Sequence, residues 1–137
     1  MKLLAQCLLV CIIKLMENII HSLFKKFNTD KLELGYAEIY DSYFKSLREK
    51  KLNILEIGVF RGASIKVWSE YFINSTIVGI DINKIDEKIF NTNKKNIEIH
   101  QGSQSDKVFL DKIINKYKKF DIIIDDGSHY PKDVIKS

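Results

Sequence analysis

Four short apolar runs, separated by segments of helical pattern, constrain the fold of this chain more than any other feature. They are "LNILEIGVF", "STIVGIDI", "NIEIHQG" and "FDIIIDD", which begin at Leu52, Ser75, Asn96 and Phe120. Each is short and almost continuously apolar, as expected of a strand buried on both faces. The segments between them, "ASIKVWSEYF" and "DKVFLDKIINKYKK", repeat apolar residues at helical spacing, and "KIDEKIF" reads as a short helix or turn. Strands that alternate with helices predict an α/β, doubly wound parallel sheet covered on both faces. In such sheets ligands bind outside the carboxyl ends of the strands. The residues at those ends are therefore the first candidates for function.

The segment before the first strand is helical. Leu34, Ile39, Tyr40, Tyr43, Phe44 and Leu47 form an apolar set over residues 33–49. Further upstream, Ile12, Ile13, Met16, Ile19, Ile20, Leu23, Phe24 and Phe27 recur on one helical face, with Lys14, Glu17, Asn18, Ser22, Lys25 and Lys26 mostly on the other. This divides the chain into an amphipathic N-terminal helix, residues 1–30, and a partial domain, residues 31–137. The amphipathic face packs on the domain or a partner; a membrane-surface anchor is the alternative. The opening "KLLAQCLLVCII" lacks a small-residue cleavage site, and Lys14 and Glu17 interrupt it too early for a transmembrane span. Met16 is an alternative start. Cys7 and Cys11, the two cysteines, share a helix face without a metal-binding pattern, and read as buried thiols in a reducing, cytoplasmic setting.

Composition excludes some classes. Hydrophobic residues make up 45% and charged residues 29%, with one proline, which argues against disorder. The net charge of +4 is spread over scattered lysine pairs and reads as a solvated surface. A nucleic-acid interface needs a denser basic face, so no nucleic-acid partner is expected.

The strand ends carry the chemistry. The first leads into "EIGVFRGAS", with Glu56, Gly58 and Gly62. Phe60 stands where a dinucleotide motif has its middle glycine, and Glu56 suits a ligand with a positive charge rather than a phosphate. A plain strand-to-helix turn is the alternative. Asp81 ends the second strand, 23 positions after Gly58, where a carboxylate can accept hydrogen bonds from both ribose hydroxyls. The third strand leads into Gly102, Ser103, Gln104, Ser105 and Asp106; Ser105 or Asp106 serves either beside a ligand or as a helix cap. The fourth ends in "DDGSH". Asp125 and Asp126 form a carboxylate pair that needs compensation, and His129 titrates near neutrality. One carboxylate can hold Mg²⁺ and a histidine can remove a proton. A D-G turn with a surface histidine is the alternative.

Taken together, "LEIGVFRGASIKVWSEYF", "IVGIDIN", "GSQSD" and "FDIIIDDGSH" resemble the class I S-adenosylmethionine-dependent methyltransferases, with their Rossmann-like fold. More narrowly they resemble the macrolide-sugar O-methyltransferases of the mycinamicin type, and "NTDKLELGYAEIYDSYF" is similar to that group's lead-in helix. The resemblance covers roughly residues 28–137 and implies S-adenosylmethionine as cofactor, with Mg²⁺ assisting. It implies that Glu56 and Gly58 line the methionine end, Gly62 belongs to the same turn, and Asp81 holds the ribose. Ser103, Gln104 and Asp106 lie near the adenine and Asp125 on the cofactor side. Asp126 is then the metal ligand and His129 the general base that takes a proton from a metal-bound hydroxyl.

The resemblance further implies a sugar hydroxyl as acceptor, in a glycan or a glycosylated small molecule. A full class I sheet has seven strands and this chain supplies four, stopping at Ser137 in the helix after "DDGSH". The reading is of a C-terminally truncated O-methyltransferase whose turnover as it stands is open. The alternative is a non-catalytic S-adenosylmethionine-binding or interaction module completed by another chain; a homo-oligomer is the other partnership expected. An oxidoreductase-type nucleotide domain is a third reading, with Phe60 against it.

Overall fold

A computed structural model describes residues 18–90 and 96–128 of the chain. The N-terminal stretch with Cys7, Cys11 and Met16, and the segment from His129 onward, lie outside the described residues. Helix α1 spans Ile19–Phe27, a 3₁₀ turn covers Asp30–Leu32, and α2 spans Tyr36–Phe44, continued by a 3₁₀ turn at Lys45–Leu47. Then follow β1 (Asn53–Ile57), α3 (Ala63–Tyr71), β2 (Thr76–Asp81), a 3₁₀ turn (Glu87–Phe90), β3 (Ile97–Gln101), α4 (Lys107–Tyr117) and β4 (Ile122–Asp125). The expected helix over 33–49 is thus shorter and interrupted. Gly35 stands in the left-handed region at φ 70° and sets its start.

The four strands form one parallel sheet in the order β3-β2-β1-β4. Side chains alternate between its faces, as strand geometry requires. Ile54 and Ile77 point to one face, where Ile20, Phe24, Ile65, Trp68 and Phe72 from α1 and α3 join them in the larger core. Leu55, Ile57, Val78 and Ile80 point to the other, against Ile113, Phe109 and Leu110 of α4. The central strands are buried on both faces, as predicted. The edge strands are less so: β3 is partly exposed throughout, and Ile123 of β4 is 60% exposed. Among the described residues no helix is long and apolar enough to cross a membrane.

Trp68 is the hub of the larger core. Its ring meets Phe24, Tyr40 and Phe44 edge-on, with centroids 5.9, 5.0 and 6.0 Å away. Such contacts add to the area each ring buries. They fasten α1 and α2 onto α3, so the lead-in helices are part of the same core as the sheet.

Two backbone bonds tie the end of β1 to its neighbours: the Gly58 N–H donates to Ile80 O of β2 at 2.9 Å, and the Asp126 N–H, just after β4, donates to Ile57 O at 2.9 Å. Gly58 has φ 87°, and a Cβ there would run into the Asp126 carbonyl. Only glycine satisfies both conditions. Gly58→Ala should therefore cost at least about 2 kcal/mol, read as a fall in the urea midpoint at unchanged slope.

Candidate active site: a cleft at the strand ends

The carboxyl ends of β1, β2 and β4, the loop after β3 and the 3₁₀ turn at Asp30–Leu32 surround one cleft of about 600 Å³. That is the size of a small-molecule site. Gly58, Phe60, Asp81, Ser103, Gln104 and Asp126 are among the residues that line it.

Asp81 closes the turn after β1. Its Oδ2 accepts from the Val59 and Phe60 N–H groups, both at 2.9 Å, and its Oδ1 accepts from the Asn83 N–H at 2.8 Å. Burial favours the neutral acid, but the backbone donors outweigh it and hold Asp81 below the usual carboxylate range. Counting lone pairs, Oδ1 keeps capacity for a ligand hydroxyl. Phe60 supports this clamp from an unusual backbone, φ 50°, with its ring 75% exposed at the cleft. The position where a glycine motif has glycine thus keeps a left-handed conformation that glycine favours.

Glu56 faces inward and is fully buried. One oxygen accepts from Ser64 Oγ at 2.9 Å and the other from Trp68 Nε1 at 3.2 Å. Burial pushes Glu56 up to about 7, against the opposing influence of Lys31, Ser64 and Trp68. Lys31 is the residue that sequence reasoning did not single out. It is 5% exposed, lines the cleft, and its ammonium donates to Asp126 Oδ2. Burial opposes the Lys31 charge, yet the Asp126 hydrogen bond and the nearby Glu56 raise its pKa. The signal was present in "NTDK": Thr29 Oγ1 accepts from the Lys31 N–H at 3.1 Å, and this turn directs the lysine inward.

The remaining candidates divide. Ser103 and Gln104 line the cleft, whereas Asp106 caps α4, its Oδ1 accepting from Val108 N–H at 2.9 Å and Phe109 N–H at 3.2 Å. Asp125 accepts from the Gly127 N–H at 3.2 Å and shapes the turn after β4. Gly62 precedes α3 as its N-cap residue. Glu56, Gly62, Asp106 and Asp125 do not themselves line the cleft, and His129 lies outside the described residues.

The donor set suits an adenosyl amino acid: a carboxylate with spare capacity, a glycine turn, and polar side chains on a partly apolar floor. It does not by itself assemble a magnesium site. Among the described residues no group of three or more His, Cys, Asp or Glu is placed to hold a metal, and the partner of Asp126 is an ammonium.

Comparison with known proteins agrees with this geometry. No family model matches the chain. Mycinamicin VI 2''-O-methyltransferase of Micromonospora griseorubida is 38% identical over 97 residues, which are 66% of this chain and 23% of that protein. Demethylmacrocin O-methyltransferase of Streptomyces fradiae is 32% identical over 102 residues, 69% of this chain and 25% of that one. The MycE methyltransferase of the mycinamycin pathway, solved with Mg, SAH (S-adenosylhomocysteine) and mycinamycin VI, superimposes with a TM-score of 0.74. Its identity is 32%, over 86% of this chain and 32% of that chain. The chain thus spans about a quarter of the length of the curated relatives it matches. Its fold is that of the class I methyltransferases. Within that class, the chain is similar over about two thirds of its length to the mycinamicin VI and demethylmacrocin O-methyltransferases.

The Glu56 proton gives a pH test. The unfolded chain releases it near 4.5 and the folded chain near 7. Between those values the folded state binds more protons, so stability falls as pH rises. The loss is about 3 kcal/mol and is complete above the folded value. Glu56→Gln should flatten this slope, as measured by urea denaturation at a series of pH values.

Proposed function

We propose that this chain is the cofactor-binding part of an S-adenosylmethionine-dependent O-methyltransferase whose acceptor is a sugar hydroxyl on a glycosylated small molecule. The observation that carries the reading is the cleft itself. It sits at the strand ends, bounded by the Asp81 clamp, the Gly58 turn and Gln104, in a chain whose relatives are sugar O-methyltransferases.

On this reading Asp81 Oδ1 accepts from a ribose hydroxyl, and the turn at Gly58 lets the backbone approach the methionine end. Ser103 and Gln104 flank the adenosine, and Asp106 acts by fixing the start of the helix beside them. Buried Glu56 braces the start of α3 behind the turn through Ser64 and Trp68. Lys31 holds Asp126 at the mouth. S-adenosylmethionine supplies the activated methyl group. The chain's contribution is to orient that group and to exclude water around it, the source of much of the acceleration in such transfers. Resemblance assigns metal ligation to Asp126 and proton removal to His129. Related proteins are biosynthetic enzymes acting on small molecules, which fits a cytoplasmic chain without nucleic-acid partners.

Calorimetric titration tests this directly. S-adenosylhomocysteine should bind saturably at one site, while NADH should give no binding heat. Asp81→Asn should weaken S-adenosylhomocysteine by about tenfold, the loss expected for one charge-assisted hydrogen bond. Binding of NADH in preference to S-adenosylhomocysteine would replace this reading with the oxidoreductase one.

A further inference from the structure

Gln104 stands between the cleft and the loop after β4. Its side chain is 9% exposed and lines the cleft. The two ends of its amide are in different situations. Oε1 accepts from the Ser128 N–H at 2.7 Å, which fixes the orientation of the group. Nε2 is buried and has no hydrogen-bond partner among the described residues. A buried amide nitrogen without an acceptor is costly, and native proteins rarely keep one without use.

The loop it holds is packed tightly against it. A Cβ at Gly127 would strike Gln104 Oε1 and come within 2.9 Å of Ile57 Cγ2. Gly127 and Ser128 follow directly on Asp126, and Asp126 faces Lys31 across the cleft. The Gln104 side chain is therefore in direct contact with the backbone that carries Asp126.

We infer that Gln104 couples the two halves of the site: a cleft ligand accepts from Nε2 and so locks Oε1 onto Ser128, ordering the Asp126–Ser128 loop. Gln104 is then a positioning residue for the chemistry at the β4 end as well as a contact for the ligand. The inference rests on the cofactor reading above and extends it. The ligand that fits is one presenting a hydrogen-bond acceptor beside the β3 loop, as the adenosine half of S-adenosylhomocysteine does. A second consequence follows from linkage: whatever orders the loop must tighten ligand binding by the same factor.

Two variants separate the roles. Gln104→Glu keeps an acceptor for Ser128 but has no donor for the ligand. Gln104→Met keeps the length of the side chain and has neither. Binding is measured by calorimetry with S-adenosylhomocysteine, and loop order by NMR-detected hydrogen exchange at the Ser128 amide, with and without that ligand.

In the wild type the ligand should slow Ser128 exchange. Gln104→Glu should retain Ser128 protection in the free protein and bind about tenfold more weakly or worse. Gln104→Met should bind weakly and show no ligand-induced protection at Ser128, even at saturation. The coupling is overturned if Gln104→Glu binds as tightly as the wild type, or if Gln104→Met still transmits protection to Ser128. Failure of the wild type to bind S-adenosylhomocysteine at all would instead remove the cofactor reading, and the coupling with it.

Discussion

The Lys31 ammonium is a positive charge held almost out of water, and the shape of the cleft depends on the two carboxylates that let it stay there. One, Asp126, accepts its hydrogen bond; the other, Glu56, lies beneath in the core. A buried ammonium is tolerated only when such partners replace its hydration. The consequence is topological. Lys31 comes from the turn after α1, whereas Asp126 directly follows β4, 95 positions later. Their contact draws the lead-in segment over the strand ends and makes it one wall of the site.

The rest of the site follows from the parallel sheet. Because β1, β2, β3 and β4 all run the same way, Gly58, Asp81, Gln104 and Asp126 emerge at one end. Local bonds then refine their positions. Asp81 pins the turn after β1, Asp106 starts α4, and Gln104 grips the turn after β4. Each of these acidic or amide groups spends part of its bonding capacity on backbone N–H groups. For Asp81 and Gln104 what is left over faces the cleft, and that remainder is what a ligand can use.

Much of this was legible in the sequence because burial on both faces leaves a plain mark. The four apolar runs became four strands, each starting within two residues of its run, and their alternation with helices dictated the parallel order. The strand-end rule then brought Gly58, Asp81, Ser103 and Gln104 to one cleft. Asp106 showed why a strand-end carboxylate need not face a ligand: two backbone donors at the start of α4 claim its oxygen. Lys31 was not singled out because a lysine in a polar "NTDK" segment looks solvent-exposed, and nothing local reports a carboxylate far along the chain. The burial of Glu56 was hidden for the same reason, since Ser64 and Trp68 reach it only once α3 has folded back onto β1.

The most direct test of this account is a double-mutant cycle on the pair that closes the cleft. Stabilities of the wild type, Lys31→Met, Asp126→Asn and the double variant would be measured by urea denaturation at neutral pH. A coupling energy above about 1 kcal/mol, with the double variant recovering part of the loss of Lys31→Met, is the predicted result. Additive losses with no coupling would mean that Lys31 and Asp126 do not hold each other in solution, and that the lead-in turn is placed by something else.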